Sequence, residues 1–161
     1  MKAQHLPEPP SGHRPDEPTQ SCDLCLAVDP VVSALAGARD LVRSFLRGFG
    51  LPEQTVFDVV LSVQEACKNA IRFSGSERPV DVTVSVRAGE VGFVIRDHGV
   101  GFAPRPIELG THPDPGDAQG RGLFLMHCLM DDLEITRDRG AIVRARKTVS
   151  LAPDQARRRA G

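Results

Sequence analysis

Glu65-Ala66-Cys67-Lys68-Asn69 sets a carboxylate and a primary amide four residues apart, and in a helix that spacing puts both on one face. An amide oxygen is a hard ligand suited to Mg2+, an ion that takes few protein ligands and completes its shell with water and phosphate. A carboxylate beside it can orient or deprotonate an attacking hydroxyl or water, so the pair suits magnesium-dependent phosphoryl transfer. A second segment, Asp97-His98-Gly99-Val100-Gly101-Phe102, follows directly on an apolar run. Its glycines let a ligand approach the backbone closely, and Asp97 can accept a hydrogen bond from an exocyclic amine such as adenine carries. A third, Gly120-Arg121-Gly122-Leu123, opens a helical pattern. N–H groups at a helix start form an anion site, and Arg121 can add a charge-assisted contact to a terminal phosphate. Taken alone, each segment has an ordinary reading: a polar helix face, a turn closing a strand, a helix start that contains glycines. No Walker A run, Gly-x-x-x-x-Gly-Lys-Ser/Thr, occurs, which excludes a standard P-loop, and Pro104 stands where a dinucleotide fingerprint would have its third glycine.

The elements that must position these residues can be read from periodicity. A short strand is expected over about 23–28. Pro30 then opens a helix to about 48, with Val31, Leu35, Ala38, Val42, Phe45 and Phe49 at helical spacing, and Gly48 and Gly50 end it. Pro52 starts a second helix to about 73 whose apolar stripe is Val56, Val60, Val63, Cys67 and Ala70. At about 100° per residue, Glu65 and Asn69 fall opposite that stripe. Val80, Val82, Val84 and Val86 alternate with polar residues as a half-buried strand does. A turn at Ala88-Gly89-Glu90 leads into the apolar strand that ends at Asp97. Residues 98–119 hold eight glycines and prolines without a period, which points to a lid or binding loop. A helix from about 121 to 130 and two strands around the turn Arg139-Gly140 complete the chain. The order β-α-α-β-β-loop-α-β-β predicts an α/β two-layer sandwich, with a mixed, mostly antiparallel sheet covered by helices on one face.

The 161 residues fit one domain with a core, 40% hydrophobic and 25% charged. Residues 1–21, with Pro7, Pro9, Pro10, Pro15 and Pro18, are expected to be disordered. The domain is expected over 22–151, and 152–161 as a flexible tail. A net charge of −1 and a pI near 6.5 supply no field that would draw the chain to nucleic acid or an anionic membrane. No run is long and apolar enough to span a bilayer and no secretory signal opens the chain, so a cytoplasmic protein is expected. Cys22 and Cys25 have the spacing of a metal or redox pair, but no second ligand pair accompanies them. A place on the first strand is the simpler reading.

The three segments together, in this order and on these elements, resemble the nucleotide-binding boxes of the GHKL superfamily, which includes histidine kinases, type II topoisomerases and MutL. The resemblance covers roughly residues 23–151. Within the superfamily, Glu65 four before Asn69 and the short lid look most like the bacterial anti-sigma-factor serine/threonine kinases. The resemblance implies ATP and Mg2+ as cofactors. It implies Glu65 as catalytic base, Asn69 as Mg2+ ligand and Asp97 as adenine reader, with Gly99 and Gly101 shaping that pocket. The resemblance implies that Gly120, Arg121 and Gly122, followed by Leu123, are the phosphate-binding end of the lid, and that Arg72, at a position basic in some relatives, contacts phosphate. It also implies a sigma factor and a small anti-anti-sigma protein as partners and leaves room for a homodimer. Phe73 and Lys68 depart from the family pattern. An ATP-dependent binding switch without catalysis needs the same pocket and stands as the alternative.

Overall fold

The computed structural model describes residues 22–87, 89–100 and 118–149. The expected tails, the turn residue Ala88, Gly101 and the rest of the expected lid up to residue 117 lie outside the described residues. Strand β1 (Cys22–Val28) is followed by helices α1 (Ala34–Gly48) and α2 (Glu53–Phe73). Strands β2 (Val80–Arg87) and β3 (Glu90–Arg96), helix α3 (Ala118–Leu129) and strands β4 (Asp132–Arg137) and β5 (Ala141–Thr148) come next. The sheet runs β1-β2-β3-β5-β4, and every neighbouring pair is antiparallel.

The period-two pattern fixes which side of the sheet is wet. Val84 lies opposite Phe93 and Phe93 opposite Ala145, while Val82, Ile95 and Val143 form the next row. All six are buried, and together they make the floor of the core. The other face carries exposed cross-strand ion pairs, Arg87–Asp23 at 2.7 Å and Arg146–Asp132 at 2.5 Å, which contribute little to stability.

Helix α2 lies over the middle of this floor, because it is apolar over more of its circumference than an amphipathic surface helix. Val56, Val60, Val63, Cys67 and Ala70 are buried as their stripe predicts, and so are Val59, Ser62, Ala66 and Asn69. The side expected to face solvent is therefore covered as well, and α3 is what covers it. Pro52 precedes the helix with ψ 138, and its carbonyl accepts the first helical bond, from Val56 N at 3.0 Å. A proline at this point forfeits no donor.

Helix α1 starts later than expected. Tight turns occupy the segment after Pro30, with Val31 N donating to Asp29 O, Ala34 N to Val31 O and Leu35 N to Val32 O. Val31 is consequently 50% exposed and leaves the core face. The buried stripe is Leu35, Ala38, Val42 and Leu46. Phe45 and Phe49 flank it, with ring centroids 5.1 Å apart in an edge-on contact.

Lys147 ties three elements together at the end of the molecule away from Asp97. Its ammonium donates to Leu129 O at 2.7 Å and lies 3.1 Å from the buried Asp58 carboxylate. Asp58 in turn accepts from Gln54 Nε2 at 2.7 Å. A cation at the last carbonyls of α3 also complements that helix's dipole.

Candidate functional site

Asp97 follows the last residue of β3 and is 2% exposed. Its Oδ1 accepts from Gly99 N at 3.0 Å and from Ala141 N at 3.1 Å, while its own N–H donates to Ala141 O. These contacts leave Oδ2 without a partner among the described residues. Two glycines make the arrangement possible. A Cβ on Gly99 would lie 1.9 Å from Ser74 O, and one on Gly140 would lie 2.1 Å from Asp97 O and 2.9 Å from Asp97 Oδ1. Gly140 also has a φ of 132, within the range that favours glycine. Val100 N donates to Ser74 O at 3.0 Å, so the Asp97 turn is joined to the C-terminal end of α2. His98 Nε2 lies 2.8 Å from Asp81 Oδ2 and holds the turn against β2. His98 is thus a turn residue bound to the sheet.

On α2, Asn69 is 9% exposed and its Nδ2 is a buried donor with no partner among the described residues. Such an orphan is costly unless something else satisfies it. Glu65, one turn earlier, is only partly exposed, and both its oxygens accept from Lys68 Nζ, at 2.8 and 3.0 Å. The Arg72 guanidinium lies 5.4 Å from the centre of the Phe73 ring. Cys67 faces the core, where burial pushes its thiol up to about 12 and keeps it an inert apolar group.

Helix α3 begins at Ala118, a few residues before the expected start. Gly120 and Arg121 therefore lie in its first turn and Gly122 just beyond, inside the helix. A Cβ on Gly122 would come within 3.0 Å of Glu65 Oε2 and within 3.6 and 3.8 Å of the Asn69 amide atoms. Glycine here lets α3 lie against Glu65 without pushing that carboxylate aside. Leu123, fully buried, reaches in beside Asp97.

Two spaces result. One of about 270 Å³ is lined by Glu65, Lys68, Asn69, Arg72, Arg121, Gly122 and Leu125. Three cationic side chains face one carboxylate there, so it favours anions. The other, of about 10 Å³, lies among Asn69, Asp97, Leu123 and apolar walls including Ile95 and Val143. Asn69 borders both. The structure thus brings Glu65, Asn69, Arg72, Arg121 and Gly122 around one space and Asn69, Asp97 and Leu123 around the next. Gly99 supports the Asp97 turn, Gly120 is buried in α3, and Gly101 lies outside the described residues. The sequence reading did not find Gly140 behind Asp97, because as a hairpin glycine it carries no mark of a distant contact. It noted Lys68 only as a departure and gave no sign of its hold on Glu65. Cys22 and Cys25 lie along β1 opposite Val86 and Thr83, in ordinary register. No helix among the described residues is long and apolar enough to cross a membrane.

Known proteins are similar to this chain. Serine-protein kinase RsbW of Listeria innocua is 31% identical over 105 residues, covering 58% of this chain and 66% of the relative. Serine-protein kinase RsbW of Bacillus cereus is 24% identical over 103 residues, covering 58% of this chain and 64% of the relative. The chain thus spans just under two thirds of the length of these relatives. Among solved structures, that of the RsbU and RsbW domains of Rv1364c from Mycobacterium tuberculosis superimposes with a TM-score of 0.63 at 17% identity, over 81% of this chain and 33% of that one. A chain of the SiaB–SiaC complex from Pseudomonas aeruginosa does so with a TM-score of 0.57 at 12% identity, over 78% and 88%. At these identities the likeness is one of fold. The family described as histidine kinase-like ATPase domain matches residues 26–147. That stretch runs from within β1 into β5 and takes in every element between them, and the chain belongs to that family.

Proposed function

We propose that the chain is an ATP-dependent serine/threonine protein kinase of the anti-sigma type. The observation that carries this reading is the convergence of Glu65, Asn69, Arg121 and Gly122 on one anion-favouring space, adjoining an apolar recess with the buried carboxylate of Asp97 on its wall. Asp97 Oδ2 takes a hydrogen bond from the exocyclic amine of adenine, and the apolar walls cover the ring. The phosphates extend past Asn69 toward Arg72 and Arg121.

The residues present fit a divalent ion. Asn69 lines the anion-favouring space, and its amide can turn to present Oδ1, an oxygen ligand of the kind Mg2+ takes. Among the described residues no group of three or more His, Cys, Asp or Glu side chains could hold a metal ion. Asn69 would therefore hold Mg2+ jointly with phosphate oxygens, as that ion prefers. When bound, Mg2+ supplies neutralisation of the phosphate charge. Glu65 accepts the proton of an acceptor serine or threonine hydroxyl. The hydroxyl oxygen forms its bond to the γ-phosphorus, and the bond from that phosphorus to the bridging oxygen breaks, releasing ADP. The acceptor is a small anti-anti-sigma protein, and a sigma factor is bound when that protein is absent. These partners come from the family resemblance, and a cytoplasmic location fits them.

The test is transfer of radiolabel from γ-labelled ATP to a candidate anti-anti-sigma protein from the same genome. Glu65→Gln should lower the rate about 100- to 10,000-fold, the range for a general base, while ADP still binds. Equal transfer by the variant overturns the role of Glu65.

One observation favours a second reading, a nucleotide-dependent binding switch without catalysis. A recess of about 10 Å³ is on the scale of one water molecule, so adenine needs it to widen by movement of its walls, of which Leu123 on α3 is one. That movement alone would couple nucleotide to a partner surface. Intact ATP after incubation with the partner, together with ATP-dependent capture of it, would decide for the switch.

A further inference from the structure

We propose that Lys68 is a phosphate sensor: it covers the Glu65 carboxylate in the nucleotide-free protein and transfers to the terminal phosphate of a bound triphosphate. The base is then uncovered by ATP and not by ADP. The proposal rests on the ATP-site reading above and assigns regulation to that same site.

Lys68 Nζ lies 2.8 Å from Glu65 Oε1 and 3.0 Å from Oε2. Both oxygens accept from the same ammonium, which stands in the way of a hydroxyl approaching them. The pair is also easily parted. Lys68 is 48% exposed, and a pair three residues apart on a helix surface is weak and screened by solvent. Lys68 lines the same space as Asn69, Arg72, Arg121 and Gly122, so a phosphate there comes within reach of its flexible four-carbon stem. A phosphate group carries more charge and more acceptor atoms than a carboxylate and competes well for an ammonium. The other side chains differ in position. Arg72 lies over the Phe73 ring, and Arg121 stands on the opposite helix. Of the three cations around this space, Lys68 is the one bound to Glu65 among the described residues. The β-phosphate of ADP, held nearer the adenine side, would leave the pair intact.

The test is calorimetric titration of the full chain with Mg-ADP and with the non-hydrolysable β,γ-imido analogue of ATP, using wild type, Lys68→Gln and Lys68→Arg. Lys68→Gln should weaken the analogue about tenfold, the scale of one lost charge-assisted contact, and change ADP by less than about twofold. Lys68→Arg should restore most of the preference. An unchanged melting temperature shows that the exposed substitution leaves the fold intact. If the two nucleotides weaken alike, or neither changes, Lys68 is an ordinary surface partner and the proposal is overturned alone. If wild type binds neither nucleotide, the ATP-site reading fails and takes the proposal with it.

Discussion

Asp97 has two distinct tasks, and they can be separated. Oδ1 organises the turn by accepting from Gly99 and Ala141, and Oδ2 remains for a ligand. Asp97→Asn keeps the first task and replaces the second oxygen with a donor that faces the donor of adenine. ADP affinity should fall about 10- to 100-fold, matching the roughly 1.5–3 kcal/mol of a hydrogen bond to a charged group. Thermal unfolding should shift little. Calorimetry and a melting curve on the same sample check both, and wild-type affinity would remove Asp97 from adenine recognition. Cys67 gives a pH prediction. Its folded pKa is raised from 9.0 to about 12, so its contribution to stability is fully present below about pH 9 and is lost as pH rises toward 12. Chemical denaturation at stepped alkaline pH should show that fall, and it should be shallower in Cys67→Ala. At this scale Glu65, Asn69 and Asp97 were legible, because carboxylates and amides at fixed spacing beside glycines form a pattern. The hold of Lys68 on Glu65 was not, since spacing shows proximity and not which rotamer a long side chain adopts.

Packing between elements makes α3 the sensitive one. Gly122 lets it rest on Glu65 and Asn69, and alanine there has opposing effects. Helix propensity favours Gly122→Ala by up to about 1 kcal/mol, and the atom met at 3.0 Å is the end of a flexible glutamate. The variant should therefore melt at the same or a higher temperature while phosphotransfer drops at least tenfold as Glu65 is displaced. A variant that keeps full transfer would show that this close approach is not needed. Ser62 offers a contrasting change on α2. Its hydroxyl is fully buried with no partner among the described residues, so Ser62→Ala should stabilise by about 1 kcal/mol in urea denaturation. The extent of α2 was legible from Pro52 and its valine stripe. Its burial on a second side was not, because the covering helix is short, glycine-containing and not amphipathic. The later start of α1 escaped for a related reason: Val31 fits the helical period, but the turn hydrogen bonds after Asp29 win locally.

Across the whole molecule, the far end is held by Lys147, which joins β5, the carbonyl of Leu129 and Asp58. Lys147→Met should cost about 2 kcal/mol, below the value for a fully buried pair because the lysine is partly exposed. Adding Asp58→Asn should cost less than the sum of the two single changes, as urea denaturation of all four proteins would show. The antiparallel pairing and the single helical layer followed from the order of elements, since antiparallel neighbours with three helices leave one face to cover, but the place of β5 between β3 and β4 did not. What the order of elements concealed is how the two ends of the chain's middle meet. The turn between β4 and β5 looks like any connection at a sheet rim, the kind of place where a fluorescent reporter or affinity tag is usually inserted without harm. Gly140 sits directly against the backbone of Asp97, so cargo placed there would press on the wall of the recess proposed for adenine. A graft at that hairpin should yield a folded protein that no longer responds to adenine nucleotides.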